Sequence, residues 1–135
     1  MPQKSATIAL LNSGKVLLLK RGSSAPWQPN KFCLVGGGVD DNESLLDAAV
    51  RETREEVGID LDKTSVRDIV VNYNHGYSKV VFFAEEIKYP VILNYEHSEY
   101  GWFTYDDCLK MYNQKALVPR LLCVLKNLFQ KGLII

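Results

Sequence analysis

Residues 37–59 read GGVDDNESLLDAAVRETREEVGI, and the rest of the chain is read outward from them. The second half is helical. Leu46, Ala49, Val50, Thr53 and Val57 recur at three- and four-residue steps, the period of one buried helix stripe. Ser44 with Asp47 three residues on resembles a capping box, with Asp in place of the usual Glu. Gly58 suits the C-terminal stop, so the spacing predicts a helix over 45–57. Glu52, Glu55 and Glu56 stand at i, i+3 and i+4, on a face away from that stripe. Three carboxylates so close repel one another unless a cation sits among them, and hard oxygen ligands of this kind suit Mg²⁺ or Mn²⁺. Arg51 lies four residues before Glu55 and is spaced to orient it. Upstream, Gly36-Gly37-Gly38 reads as a turn at a strand end, where backbone can approach and its carbonyls can serve as ligands.

Charge alone permits a plainer reading. The 16 Lys+Arg and 16 Asp+Glu cancel, but they are not evenly spread. No acid precedes Asp40. Residues 40–62 then hold nine acids and two bases, and from Cys108 onward there are five bases and no acid. Without the spacing, a solvated helical face explains the acidic run. A chain of 135 residues reads as one domain, 1–135, large enough for a core without disulfides. With 47% hydrophobic and 24% charged residues it is neither disordered, collagen-like nor a coiled coil. Zero net charge gives no support to a nucleic-acid partner. Cys33, Cys108 and Cys123 show no CxxC spacing and suit a reducing compartment, without structural zinc. The apolar run from Ala6 to Leu11 is too short for a signal peptide or a membrane span, so a cytoplasmic protein is expected.

Around the acidic helix, strands and helices alternate, which predicts an α/β class with helices covering a mixed sheet. Thr7–Leu11 and Lys15–Lys20 read as a hairpin about Asn12-Ser13-Gly14, and residues 22–31 as a loop. Phe32–Val35 reads as a short strand ending at the glycines. Val66–Tyr73 and Lys79–Ile87 read as a second strand pair about Asn74-His75-Gly76, and Gly101–Phe103 as a short strand. Tyr105–Tyr112 and Ala116–Lys131 read as helices, the second with Pro119 in its first turn and Gly132 as its stop.

The spacing Gly37, five residues, Glu43, seven residues, Arg51-Glu52-Thr53, one residue, Glu55-Glu56, one residue, Gly58-Ile59 resembles the Nudix box, GX5EX7REUXEEXGU, where U is a bulky aliphatic. All seven fixed positions match. Thr53 replaces a bulky aliphatic, and as a β-branched residue it can still fill a half-buried slot. Val35 stands where the family often has Pro, and Asn42 where Gly is common. Leu17–Arg21, Ala25-Pro26-Trp27, the strand from Phe32 to Gly37, and Glu96–Phe103 also look like Nudix counterparts. The resemblance implies the α/β/α Nudix sandwich over the whole chain.

It further implies a MutT-like enzyme that hydrolyses a nucleoside diphosphate linked to another moiety, X, with Mg²⁺ as cofactor and Mn²⁺ as a substitute. Glu52, Glu55 and Glu56 with the Gly36 carbonyl would hold the metal. Glu52 would also serve as base, and Glu43 and Arg51 would orient the carboxylates. Glu99 is a second base candidate, in a segment from Tyr95 to Tyr100 that reads as a loop able to close over substrate; Glu96 competes with it. Arg21 is placed for a phosphate. Trp27, Phe32, Tyr77 and Phe103 are candidates for stacking on a base. His75 and His97 read as loop residues, with His97 a weaker proton-transfer candidate.

The expected substrate is a small nucleotide, a (d)NTP or a nucleotide sugar. ADP-ribose is disfavoured because no Pro follows the box at the expected distance. Dinucleoside polyphosphates stay open through Tyr77, and an RNA 5′ end stays open if the early lysines line one groove. A nucleotide-sensing domain without activity is a further alternative, although such domains usually lose box carboxylates. No membrane partner is expected. The chain reads as a monomer or a homodimer, the latter if the last helix and Leu133-Ile134-Ile135 form a contact.

Overall fold

A computed structural model describes residues 4–73 and 76–135. Ser13 and Gly14, at φ 52° and 77°, turn the chain between β1 (Ser5–Asn12) and β2 (Lys15–Arg21). That is the left-handed backbone a tight hairpin needs. β1 is the hub of the sheet. Its first half pairs antiparallel with β4 (Val35–Gly38), Thr7 opposite Gly36, and its middle pairs parallel with β6 (Ser78–Ala84), Ile8 opposite Phe82. β5 (Arg67–Asn72) flanks β6 antiparallel. On the other side β2 pairs antiparallel with the short β3 (Phe32–Cys33) and with β7 (His97–Phe103). The sheet is thus mixed and seven-stranded among the described residues.

Alternation along the strands feeds two cores. Ala6, Ile8, Leu10, Leu17, Leu19, Phe82 and Ala84 pack under α1 (Leu45–Val57) with its Ala48, Ala49 and Val57. Ala9, Leu11, Val16, Leu18, Val81 and Phe83 pack on the opposite face. There they meet Cys108 of α2 (Tyr105–Asn113) and Leu121, Val124, Leu125 and Leu128 of α3 (Leu121–Gln130). A fully buried side chain of this size contributes roughly 1.5–3 kcal/mol, so both helix layers are anchored by the sheet they cover. The result is the expected α/β/α sandwich.

α1 has the bounds the sequence predicts. Ser44 Oγ accepts from the Asp47 N–H at 3.0 Å, and Gly58 closes the helix at φ 71°. Thr53 is fully buried, and its Oγ1 donates to the Ala49 carbonyl at 2.7 Å, so the one departure from the box pattern is satisfied.

Three expectations need correction. The glycine run is not a turn but most of β4, an antiparallel partner of β1. A Cβ on Gly36 would lie 2.4 Å from the Ala6 carbonyl oxygen, so glycine is required there by close strand approach. β7 begins at His97, not Gly101, because β2 offers pairing partners as far as Arg21. α3 begins at Leu121, not Ala116. Phe32 exchanges backbone hydrogen bonds with Ala116 and Val118, which holds that segment extended, and Pro119 precedes the helix. The C-terminal tail is tied into its own chain, with Ile134 buried and the Ile135 N–H donating to the Gly14 carbonyl at 2.8 Å, while the Ile135 side chain stays exposed. Asn74 and His75 lie outside the described residues. No described helix is long and apolar enough to cross a membrane.

Candidate active site

α1 and β4 bring the box residues together through Arg51. Its Nε and Nη2 donate to the two oxygens of Glu43 at 2.9 and 3.0 Å, a bidentate pair. Its Nη2 also reaches the Gly38 carbonyl at 2.8 Å. Its Nη1 donates to Glu52 Oε1 at 3.1 Å and to Glu55 Oε2 at 3.2 Å. One guanidinium therefore ties the loop to the helix and holds two helix carboxylates. Its hydrogen bond to Glu43 holds that carboxyl below the usual carboxylate range. Surrounded by acids, Arg51 itself is held well above its usual value, first by Glu43.

The three helix carboxylates do not share one exposed face. Glu55 is exposed, Glu52 is half-buried, and Glu56 is only 3% exposed, on the inner side of α1 with Thr53 and Val57. The sequence reading that set all three away from the buried stripe is corrected for Glu56. Its Oε1 accepts from the Gly36 N–H at 2.9 Å, and its Oε2 faces His97 Nε2 at 4.0 Å. Burial pushes the Glu56 carboxyl up to about 8, the Gly36 N–H pulls it back, and the charges of Glu52 and Glu96 add to the rise. Burial also raises Glu52, with Arg51 opposing. A Cβ on Gly37 would lie 2.5 Å from Glu52 Oε1, so the absent side chain is the cradle in which Glu52 sits.

His97 was read as a loop residue. It opens β7, is 7% exposed, and stands between Glu56 and Cys33, whose Sγ is 3.8 Å from its Nε2. Its Nδ1 is buried without a hydrogen-bond partner among the described residues. Burial pushes the imidazole down and the Cys33 thiol up to about 12, so at neutral pH both are uncharged.

Glu99 is not brought to this cluster. It lies on β7 opposite Lys20, exposed, with the Lys20 ammonium 3.9 Å away. Glu96 is the carboxylate whose charge is felt by both Glu52 and Glu56. The loop that carries it is fastened by the Gly22 N–H to the Glu96 carbonyl and by the Asn94 N–H to the Glu56 carbonyl.

A cleft of about 620 Å³ opens beside Gly36, Gly37, Glu56 and His97. Arg21 and Trp27 line it together: Arg21 Nε donates to the Trp27 carbonyl at 2.7 Å and its guanidinium lies 5.2 Å from the Trp27 ring centre. Tyr77 lines it too, stacked on Tyr73 with ring centres 5.5 Å apart, and Arg120 lies over both rings. Phe32 does not line the cleft. It packs edge-to-face on Phe103 at 5.5 Å against the α3-side core, so both are framework residues and not stacking surfaces. Tyr73, Lys79 and Arg120 are cleft residues that sequence reasoning missed. A tyrosine just past β5 and a lysine on β6, both in phase with the core-facing residues of their strands, were the available signal.

Among the described residues no three His, Cys, Asp or Glu side chains form a ready-made metal cluster, and Glu52 and Glu55 are both engaged by Arg51. The donor set nevertheless fits a hard divalent cation. Glu56 is a buried carboxylate facing an uncharged imidazole, and Glu52 sits in a cradle shaped by a glycine.

An α/β/α sandwich that sets the carboxylates of a helix against a glycine strand, beside a cleft with arginines and stacked aromatics, points to a class: hydrolases of phosphoanhydride bonds. The comparisons specify it. The family model described as NUDIX domain matches residues 1–124. The chain is 31% identical to nucleoside triphosphatase NudI of Klebsiella pneumoniae, over 99% of this chain and 100% of that protein. It superimposes on an Ap4A hydrolase of C. elegans with a TM-score of 0.70 and 25% identity, covering 96% of this chain and 99% of that one. A MutT/nudix family protein from Enterococcus faecalis matches with a TM-score of 0.64 and 28% identity, over 76% of this chain and 44% of that longer one. The chain belongs to the NUDIX family and is a Nudix-type pyrophosphohydrolase acting on nucleotides, in a family whose hydrolases generally need a divalent metal.

Proposed function

We propose that this chain, as a single catalytic domain over residues 1–135, cleaves the diphosphate linkage of a small nucleotide, a (d)NTP first and a nucleotide sugar second. The products are a nucleoside monophosphate and a second phosphorylated product. The observation that carries the reading is Glu56 opening, beside Gly36 and Gly37, onto a cleft with cations and stacked tyrosines, on the same helix as the carboxylates that Arg51 ties together. The similarity to a nucleoside triphosphatase over the full length supports a triphosphate. The stacked Tyr73–Tyr77 pair and the similarity to an Ap4A hydrolase keep a dinucleoside polyphosphate as second reading. Absence of acids early in the chain does not place its lysines in one groove, and an RNA end is not favoured.

When bound, Mg²⁺, or Mn²⁺ in its place, would neutralise charge on the diphosphate and lower the pKa of water. Glu52, Glu55, Glu56 and the Gly36 carbonyl are the residues to hold it. Arg51 and Glu43 fix where the carboxylates point. Glu52 is the base: Arg51 engages its Oε1, which leaves Oε2 for a water proton, and its raised proton affinity favours that transfer. Arg21, braced by Trp27, holds a phosphate oxygen. Glu96 takes the place that Glu99 held in the sequence reading. A cytoplasmic enzyme is consistent with three free thiols.

The test is a panel of NTPs, dNTPs, nucleotide sugars, ADP-ribose and Ap4A incubated with Mg²⁺, with products separated by chromatography. Triphosphates should yield nucleoside monophosphate and pyrophosphate fastest. Release of orthophosphate alone, or no turnover of any member, would overturn the reading.

A further inference from the structure

Lys79 stands in the cleft without an acidic partner. Its Nζ donates to Thr7 Oγ1 at 3.0 Å and to Ser5 Oγ at 3.2 Å, and no carboxylate among the described residues pairs with it. Burial pushes its ammonium down from the usual lysine range. An ammonium has three N–H groups and no acceptor, and two of the three are spent on the hydroxyls. The third is left for the cleft, and each hydroxyl, having accepted from Lys79, has its own proton to donate. The three groups together form a donor-rich corner.

Its position says what meets it. Strands β4, β1, β6 and β5 lie side by side in that order. With neighbours roughly 4.8 Å apart and Gly36 two residues along the strand from the level of Lys79, Lys79 on β6 is on the order of 12 Å from Gly36 on β4. Thr7, Lys79 and Tyr73 sit in alternation with Ala9, Val81 and Val71, so all three project on the α3 side of the sheet. The cleft that Lys79 lines also carries Leu34, Leu121, Val124 and the stacked tyrosines, an apolar and aromatic lining for a flat ring, with Arg120 over the tyrosine faces. When the diphosphate is at Gly36 and Glu56, the part of a nucleotide at this reach is its base.

We infer that Lys79, supported by Ser5 and Thr7, reads the nucleobase at pyrimidine C4 or purine C6 and selects bases with a carbonyl oxygen there (uracil, thymine, guanine) over those with an amino group there (cytosine, adenine). A keto oxygen accepts the free N–H; an amino group turns its own hydrogens toward a cation, leaving a half-buried donor unpaired. The inference rests on the nucleotide reading above and deepens it.

Two measurements test it. In metal-free buffer, titration calorimetry of the wild-type protein with UMP, GMP, CMP and AMP reads base preference without turnover. UMP and GMP should bind on the order of ten-fold more tightly than CMP and AMP. With Mg²⁺, kcat/KM for UTP and GTP against CTP and ATP should show the same ratio, and Lys79→Met should bring that ratio to within about two-fold of unity. Equal binding of the four monophosphates by wild type overturns the assignment whatever the variant does. A ratio kept by Lys79→Met, with all four nucleotides weakened alike, overturns it in favour of a phosphate contact. Monophosphate selectivity without hydrolysis of any nucleotide would support Lys79 as reader while removing the hydrolase reading.

Discussion

Glu56 concentrates the tension of the site in one side chain. It is a carboxylate on the inner side of a helix, with one backbone N–H and an uncharged imidazole for company. Glu56→Gln keeps the shape and removes the charge, so turnover with Mg²⁺ should fall by roughly 10²–10⁴-fold, measured as kcat at saturating nucleotide. The metal-free protein should respond in the opposite sense. The Glu56 pKa is raised from 4.5 to about 8 in the folded state, so its contribution to stability is fully present below pH 4.5. Between pH 4.5 and about 8 the unfolded chain ionises first, and that contribution is lost, on the order of 5 kcal/mol. Chemical denaturation across this window should show the decline in wild type and a flatter profile in the Gln variant; parallel profiles would show that Glu56 ionises normally. Among the other carboxylates, Glu52→Gln should be the more severe lesion, Glu96→Gln intermediate, and Glu99→Gln should cost roughly ten-fold or less, about 1.4 kcal/mol of barrier. Loss of turnover in Glu99→Gln with Glu52→Gln rescued by Mn²⁺ would move the base to β7. The box spacing made Glu52, Glu55, Glu56, Glu43 and Arg51 readable in advance, because a helix turns i, i+3 and i+4 into neighbours. His97 and Glu96 were not readable in that way. Their approach to Glu56 depends on where β7 starts, and that is set by pairing with β2.

At the scale of elements, α1 and β4 act as one unit, closed by Arg51 and by the missing side chain of Gly37. Gly37→Ala puts a Cβ 2.5 Å from Glu52 Oε1, a flexible carboxylate end and not backbone. The fold should survive, with an unfolding temperature near that of wild type, while Glu52 is displaced and kcat falls at least about ten-fold. Gly36→Ala is a different lesion, since its Cβ would meet the Ala6 carbonyl at 2.4 Å, and it should lower stability directly. α1 was legible to its ends because cap, stripe and stop agree. β4 was misread because three glycines carry no side-chain pattern, and only pairing with β1 reveals them as strand. The start of α3 was misread because Pro119 is as welcome before a helix as in its first turn. The choice was made by the bonds between Phe32 and residues 116 and 118.

Over the whole molecule, one sheet separates two jobs. The α1 face carries the carboxylates, and the α3 face carries Tyr73, Lys79 and the cleft walls, with β1 and β4 forming the boundary between them. The sandwich was predictable from alternating elements and a matching box. The second half of the site was not, because it is assembled from single residues on β1, on β6, just past β5 and in the segment before α3. The central claim is that the carboxylates of α1 act through a divalent ion on a nucleotide bound across this boundary. Its most direct test is the initial rate of hydrolysis of the best nucleotide, followed by pyrophosphate release, for wild type and Glu56→Gln after exhaustive chelation and after addition of Mg²⁺. Wild type should be silent in chelator and recover fully with Mg²⁺, and the variant should remain at least about 10²-fold slower at every Mg²⁺ concentration. Turnover that survives chelation, or a folded Glu56→Gln protein that matches wild type, would contradict it.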